Sequence, residues 1–171
     1  GIKTRYLIDK KNSLDTNVMK PILSQENPGK VSILAEMSIH AAKEALDQAG
    51  IKPADVDAVI LGTSHTSRNY PAIACEVMDE LGIEGYGYDM LIGCSSTTFA
   101  ISNAYSDIAS GLADTVLVVN PELTSPHNDF TLRDSHFIFG DACVATVVQK
   151  DSKSKNRAKI IDRKLVTKFS N

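Results

Sequence analysis

The sequence predicts an α/β domain that is built on an open, doubly wound and mostly parallel sheet. Three short apolar runs, VDAVILGT, YDMLIG and TVLVVN, alternate with longer segments in which apolar residues recur every three or four positions. Continuous apolar runs of this length are typical of strands that are buried on both faces. Strands that alternate with helices imply right-handed crossovers, which exclude an all-antiparallel β fold.

Helical spacing, and the glycines that follow it, define three helices. In residues 32–49 the apolar positions recur at threes and fours, and Gly50 stands where a helix commonly ends. Pro71 opens a second helical stretch that continues to Leu81, and residues 95–110 resume the same spacing. The apolar runs predict strands at residues 56–63, 88–93 and 115–120.

The remaining segments lack sustained helical spacing. Residues 1–30 mix charged residues with Asn, Ser, Pro and Gly, which predicts a loop with at most one short helix. Residues 121–135 are polar and predict a long loop, a kind of segment that is usually functional or mobile. A Gly-Asp turn feeds a strand within residues 137–149, and the alternation in residues 158–167 predicts a final strand.

Composition narrows the function classes. A chain of 171 residues with 43% hydrophobic and 23% charged residues can form one compact domain with an apolar core. Its net charge of −3 provides no global attraction to nucleic acid or to an anionic membrane. No stretch approaches the ~20 apolar residues of a membrane span, and the first residues lack a signal-peptide pattern. We therefore expect a soluble, cytoplasmic protein.

The cysteines and histidines indicate neither a disulfide framework nor a metal site. The cysteines are odd in number and widely spaced, and the histidines show no HxxxH or HExxH spacing. These residues are Cys75, Cys94 and Cys143, and His40, His65, His127 and His136. His65, His127 and His136 could act as general bases near neutral pH, although position alone does not assign that role.

Cys94 is the candidate catalytic residue. It directly follows the strand predicted at 88–93 and precedes the helix predicted at 95–110, and ligands of doubly wound sheets bind beyond the carboxyl ends of the strands. The free N–H groups at the start of a helix favour a thiolate and can stabilise the oxyanion of an acyl intermediate. The alternative is a small buried hydrophobic residue, because free cysteine is among the most buried residue types.

The other polar candidates are less specific. Cys75 falls inside the second predicted helix and Cys143 in an apolar strand, which predicts that both pack in the core. Arg68 and Arg133 fall in loops, where each could hold a phosphate or could be an ordinary solvated arginine. No GxGxxG or GxxxxGK[ST] string supports a nucleotide-phosphate site.

Several strings in the correct order resemble the thiolase-like condensing enzymes, and most closely the β-ketoacyl-ACP synthase III family. The start GIKTR is similar to that family's T-G-I-R-x-R opening, and AAKEALDQAGIKPADVDAVILGTSHTSRNYPAIACEVMDELGI is similar to its first helix, strand and second helix. YDMLIGCSSTTFAISNAYSDIASGLADTVLVV resembles its nucleophile strand and helix, and RDSHFIFGDACVATVV resembles its R-x-x-x-x-x-F-G-D-G segment. The resemblance covers nearly the whole chain. It implies the first βαβαβ repeat of a thiolase-like fold, with a mixed, mostly parallel sheet and helices on both faces.

The resemblance also implies a function and the residues that carry it. Cys94 falls on the family's nucleophile, which takes an acyl group from acyl-CoA and condenses it with malonyl-ACP to give a β-ketoacyl-ACP in fatty-acid biosynthesis. Tyr70 falls where the family has an aromatic residue that crosses the dimer interface and caps the partner's acyl pocket. Arg133 falls on an arginine that meets the adenine end of coenzyme A, and Phe139 and Thr124 fall on pocket-lining positions.

The implied partners are acyl-CoA, an acyl carrier protein and a second copy of the chain in a homodimer. The chemistry requires no cofactor and no metal beyond these substrates. Two alternatives stay open: another thiolase-like acyl-CoA condensing enzyme, for example one similar to hydroxymethylglutaryl-CoA synthase, or a non-catalytic dimerisation half.

The chain departs from the family pattern at three places, of which the residues after the cysteine bear on the acyl pocket. The family typically has Ala-Gly-Phe after its cysteine, whereas this chain has the more polar Ser95, Ser96 and Thr97, and Ala142 replaces the last glycine of G-D-G. The polar segment at 6–31 is longer than in enzymes with short-chain primers and resembles the subgroup that makes a β-ketodecanoyl product. The resemblance to that subgroup implies a medium-chain acyl group, while the residues themselves leave the acyl chain length open.

The family's catalytic His and Asn come from a second structural repeat. Residues 150–171 contain no histidine that could replace the pair. The resemblance therefore predicts that residues 1–171 are the N-terminal half of a protein about twice as long. It also predicts that this half alone lacks decarboxylative condensation, because nothing in it stabilises the enolate.

Overall fold

The computed structural model describes residues 32–66, 68–134, 136–153 and 158–169. Its centre is a four-stranded sheet with the order β2-β1-β3-β4. The strands are β1 (Ala58–Thr63), β2 (Tyr86–Leu91), β3 (Thr115–Glu122) and β4 (Ala142–Gln149). β1 runs parallel to both β2 and β3, and β4 runs antiparallel to β3. The predicted mixed, mostly parallel sheet is confirmed.

Three helices pack on the sheet: one precedes β1, and the other two connect β1 to β2 and β2 to β3. They are α1 (Ile33–Ala49), α2 (Ile73–Leu81) and α3 (Ser96–Ser110). The hydroxyl of Ser32 accepts the N–H of Ala35 and so caps the start of α1. Each helix ends at a glycine in the left-handed conformation, as the sequence predicts.

The helices cover both faces of the sheet, which accounts for the continuous apolar strands. Alternate residues of β1 and β3 point to opposite faces. On one face Val59, Leu61, Leu117 and Val119 pack with α1 and α2 in a single buried cluster. On the other face Ala58, Ile60, Val116 and Val118 pack with Ala100 and Ala104 of α3. Because both faces of the sheet are covered, a ligand cannot bind on a face. In sheets of this kind ligands bind beyond the carboxyl ends of the strands.

The range of β2 and the environment of Cys75 differ from the sequence prediction. β2 begins at Tyr86, before the predicted range, and its second residue, Gly87, lets the side chain of Met78 approach the strand. Cys75 is exposed. It was expected in the core, but the buried positions of α2 are Ile73, Ala74 and Val77, and the helical rotation turns Cys75 away from them.

The strand predicted at residues 158–167 is wrong, since residues 158–169 have no regular secondary structure. This segment lies against α3, where the guanidinium of Arg163 hydrogen-bonds Ser102 and Ser106 and lies over the ring of Tyr105. Alternation alone does not make a strand without a neighbouring strand to pair with. The loop predicted at residues 1–30 lies outside the described residues.

Among the described residues, no helix is both long enough and apolar enough to cross a membrane.

Candidate active site

Cys94 lies in a tight turn between the carboxyl end of β2 and the start of α3. β2 ends at Leu91, a single 3-10 turn spans Gly93–Ser95, and α3 begins at Ser96. Gly93 has a φ of 58°, a conformation that glycine adopts without strain. The side chain of Cys94 is exposed. Among the described residues, Cys94 is therefore not packed in the apolar core, unlike the alternative of a small buried hydrophobic residue.

Ser96 fixes this turn to the end of the neighbouring strand. Its hydroxyl accepts the N–H of Ile92 at 3.1 Å and donates to the carbonyl of Thr63, at the end of β1, at 3.1 Å. The residue is only 2% exposed. Of the three polar residues that follow the cysteine, Ser95 and Thr97 are exposed, whereas the polar group of Ser96 is used internally.

Gly62 allows the first residue of α3 to lie directly against β1. A Cβ at this position would lie 2.9 Å from the Cβ of Ser96 and 2.8 Å from Nδ2 of Asn120. That Nδ2 donates to the carbonyl of Gly62 at 3.0 Å. The absence of a side chain at Gly62 therefore sets the height of the Cys94 turn above the sheet.

The ends of β1 and β3 are held together by the side chains that follow them. The carboxylate of Glu122 accepts both the N–H and the hydroxyl of Ser64, at 2.9 and 3.0 Å. His65 places Nε2 2.9 Å from the carbonyl of Leu123. Because a carbonyl only accepts, Nε2 carries the proton. The ring of His65 also packs edge to face on that of His127, with 4.3 Å between centroids.

Thr124 and Phe139 are brought to the same edge by the start of β4. The hydroxyl of Thr124 donates to the carbonyl of Gly140 at 2.9 Å, and the carboxylate of Asp141 accepts the N–H groups of Thr124 and Ser125 at 2.8 Å each. Phe139, which precedes Gly140, is 51% exposed. Asp141 thus fixes the end of β3 to the start of β4 and leaves an aromatic ring accessible beside them.

The two remaining candidates, Tyr70 and Arg133, lie in loops. Tyr70 is 83% exposed and stands three residues before α2, next to a cis peptide bond with Pro71. Arg133 is exposed in a turn. Arg68, considered above for phosphate binding or as an ordinary solvated residue, forms an ion pair with Glu76 instead.

The start of α2 is capped by a partly buried carboxylate of β2. Asp89 accepts the N–H groups of Ile73 and Ala74 at 2.7 and 2.9 Å. Burial raises the pKa of Asp89, against the opposing effects of these two hydrogen bonds and of the Arg68 charge. The strand that leads to Cys94 is thereby connected to the helix that follows Tyr70.

The cysteines differ in environment. Burial raises the pKa of the Cys143 thiol to about 11, against a smaller opposing effect of the Ser38 hydroxyl. Cys94 instead lies in the 3-10 turn before α3. The N–H groups of Ser95 and Ser96 already donate to the carbonyls of Ile92 and Gly93 in that turn, so those of the next residues of α3 are the ones left to favour an anion. An exposed sulfur at this position can attack a thioester carbonyl, and the same N–H groups can stabilise the oxyanion that results.

Sequence reasoning located Cys94 and missed the residues that hold it. Ser96, Asn120, Glu122 and Asp89 act through contacts with distant parts of the chain, which local patterns do not contain. Gly62 did give a signal, because an isolated glycine within an apolar strand often marks a close approach of another backbone.

Comparison with known proteins identifies the family. Residues 88–168 match the family model described as 3-Oxoacyl-[acyl-carrier-protein (ACP)] synthase III. A Beta-ketodecanoyl-[acyl-carrier-protein] synthase of Pseudomonas aeruginosa is 48% identical over 100% of this chain and 49% of its own length. A Beta-ketoacyl-[acyl-carrier-protein] synthase III 1 of Vibrio parahaemolyticus is 38% identical over 67% of this chain and 37% of its own length.

A solved structure agrees with these relatives. The crystal structure of 3-oxoacyl-[acyl-carrier-protein] synthase III from Aquifex aeolicus superposes with a TM-score of 0.68 at 34% identity, over 72% of this chain and 41% of that one. The chain thus spans about half the length of the Pseudomonas relative and a smaller share of the Vibrio relative. The matches include the strand, turn and helix that present Cys94. The chain belongs to the β-ketoacyl-ACP synthase III family of thiolase-like condensing enzymes.

Proposed function

We propose that the full-length protein is an acyltransferase that condenses an acyl group, taken from acyl-CoA onto Cys94, with malonyl-ACP to give a β-ketoacyl-ACP in fatty-acid biosynthesis. The observation that carries this proposal is the exposed thiol of Cys94 in the turn between β2 and α3. Ser96 and Gly62 hold that turn against β1. A nucleophile that is held rigidly at the end of a sheet suits acyl transfer, because little reorganisation is needed when the thioester arrives.

The proposed reaction has two steps. In the first, the Cys94 sulfur bonds to the acyl carbonyl carbon, the bond from that carbon to the coenzyme A sulfur breaks, and coenzyme A leaves as its thiol with the proton that the Cys94 thiol gives up. In the second, malonyl-ACP loses CO₂ and the resulting carbanion bonds to the same carbonyl carbon, which releases the Cys94 thiolate. The residues of this chain supply the nucleophile and the N–H groups at the start of α3. The His and Asn that the family uses in the second step are expected outside residues 1–171.

A medium-chain acyl group is the proposed primer. The Pseudomonas relative is named a Beta-ketodecanoyl-[acyl-carrier-protein] synthase and is 48% identical to this chain. Condensation with malonyl-ACP extends the primer by the malonyl carbons that remain after CO₂ is lost, so a β-ketodecanoyl product corresponds to an octanoyl primer. We therefore propose octanoyl-CoA as the test substrate.

The supporting roles are proposals of the same kind. Tyr70 is exposed and suited to a contact with a partner protomer in a homodimer, and Phe139 presents an accessible ring beside Thr124. Arg133 is exposed and free to meet a nucleotide. No cofactor is required, since thioester exchange and decarboxylation need no redox or metal chemistry. We propose a cytoplasmic location for this reaction.

Two alternatives lead to different outcomes in one experiment. Another thiolase-like condensing enzyme would acylate Cys94 but would form a different product with malonyl-ACP. A non-catalytic dimerisation half would not acylate Cys94 at all. Acylation and product identity are therefore measured separately.

The test is intact-protein mass spectrometry of the full-length protein after incubation with octanoyl-CoA, followed by peptide mapping. We expect one octanoyl adduct on Cys94, and no adduct in Cys94→Ala. Cys75→Ala is the matched control, because Cys75 is also an exposed thiol and would report non-specific acylation. An adduct that survives Cys94→Ala, or the absence of any adduct on the wild-type protein, contradicts the proposal. Addition of malonyl-ACP should then yield β-ketodecanoyl-ACP.

A further inference from the structure

The segment that presents Tyr70 has a charged anchor on its N-terminal side. Arg68 forms an ion pair with Glu76 of α2, and the side chains of the two residues are 28% and 14% exposed. A partly buried ion pair is screened less by salt than a fully exposed one. Arg68 thus fixes the chain two residues before Tyr70 to the body of α2.

The same pair is connected to the start of α1. The second carboxylate oxygen of Glu76 lies 3.4 Å from the N–H of Ser32, the residue whose hydroxyl caps α1. Glu76 therefore holds Arg68 while it is itself held by α1 and α2. These contacts make Glu76 a fixed point and not a free surface carboxylate.

A second anchor lies on the C-terminal side of Tyr70. Asp89 of β2 accepts the N–H groups of Ile73 and Ala74, the first residues of α2, at 2.7 and 2.9 Å. The Arg68 charge acts on Asp89 as well, in the direction that favours its ionised form. Arg68, Glu76 and Asp89 are thus neighbouring charged residues on the side of α2 that faces β2 and α1.

Between these anchors the chain is exposed. Residues 69–71 are all exposed, and no hydrogen bond between described residues involves them. The backbone of this segment is therefore held on its two sides, by Arg68 and by the start of α2. On the N-terminal side of Tyr70, the position of the chain depends on one side-chain pair, Arg68 with Glu76.

We propose that Arg68 and Glu76 are positioning residues that aim Tyr70 at the acyl pocket of the partner protomer and so determine which acyl chain lengths the enzyme accepts. This inference rests on the proposed function, because it requires acylation of Cys94 and the capping role of Tyr70. The role proposed for Arg68 and Glu76 is indirect and requires no contact with the substrate. Their effect passes through the position of the Tyr70 ring.

The test is a double-mutant cycle in the full-length protein. The variants are Arg68→Met, which keeps an unbranched side chain and removes the guanidinium and its charge, Tyr70→Ala, and the combination of the two. The readout is the ratio of kcat/KM for Cys94 acylation with octanoyl-CoA to that with acetyl-CoA. We expect Arg68→Met to change this ratio by about tenfold, within the range over which a small misplacement of a positioning group alters rates.

The cycle separates a positioning role from a merely structural one. If Arg68 acts through Tyr70, Arg68→Met changes the ratio in the wild-type background and has no further effect in the Tyr70→Ala background. Glu76→Gln should reproduce the effect, and the exchanged pair Arg68→Glu with Glu76→Arg should restore the ratio in part. Lys43→Met is the matched control, because it removes an exposed positive charge from α1.

The other outcomes overturn the inference in distinguishable ways. If Arg68→Met leaves the ratio unchanged while Tyr70→Ala alters it, or if the two changes are additive, the anchor does not act through Tyr70 and the proposed function stands. If Arg68→Met fails to fold, Glu76→Gln carries the same comparison. If the wild-type protein shows no acylation of Cys94, the proposed function and this inference fail together.

Discussion

Ser96→Ala tests whether the Cys94 turn is held by the contacts that the structure shows. The Ser96 hydroxyl is buried and makes two hydrogen bonds, one from the N–H of Ile92 and one to the carbonyl of Thr63. A hydrogen bond contributes ~0.5–1.5 kcal/mol net, so the loss of both lowers the free energy of unfolding by about 1–3 kcal/mol. The turn also loses its attachment to β1. Acylation of Cys94 should slow by up to about 10²-fold, the scale expected for a displacement of 1 Å.

The two effects are measured on the same full-length protein. Urea denaturation gives the change in free energy of unfolding, and a time course of intact mass with octanoyl-CoA gives the acylation rate. Thr98→Ala is the control, because Thr98 is exposed in the first turn of the same helix, and no change is expected in either quantity. A loss of stability below about 0.5 kcal/mol, less than one hydrogen bond contributes, together with wild-type acylation would refute the reasoning.

Two further predictions concern Gly62 and Cys143. Gly62→Ala places a Cβ within 3.0 Å of Asn120 and Ser96. Urea denaturation should show a loss of about 1–3 kcal/mol from overpacking, with slower acylation of Cys94, and unchanged values would argue against a close approach. Because burial raises the pKa of Cys143 to about 11, the thiolate fraction of this residue at pH 8 is on the order of 10⁻³. Maleimide should therefore label Cys75 and Cys94 in the folded protein but not Cys143. A thiol whose pKa is raised by folding stabilises the folded protein at pH values below the ordinary thiol pKa of 9.0. This stabilisation is lost as the pH rises to about 11. The free energy of unfolding should fall across that window, and Cys143→Ala should lack this part of the decline.

The fold was predictable because its signals are local. β1, β3 and α1 each contain a continuous or periodic apolar pattern in a single stretch of sequence, and the glycines after the helices mark their ends. β2 was placed two residues late because its first residues, Tyr86 and Gly87, resemble a turn when neighbours across the sheet are not considered. The predicted strand at 158–167 failed for a related reason. Its alternation is local, whereas strand formation depends on a partner that the pattern does not specify.

The candidate site also has a part that is predictable from local sequence and a part that is not. Cys94 was found because a strand, a cysteine and a helix follow one another directly along the chain. What holds the cysteine in place is not local: Ser96 bonds Thr63 across 33 positions, and Asn120 bonds Gly62 across 58. Each of these residues is an ordinary polar or small residue in its own segment. It acquires a role only when β1, β3 and α3 are brought to one edge of the sheet. A nucleophile can therefore be recognised from one segment, whereas its rigidity depends on contacts among three.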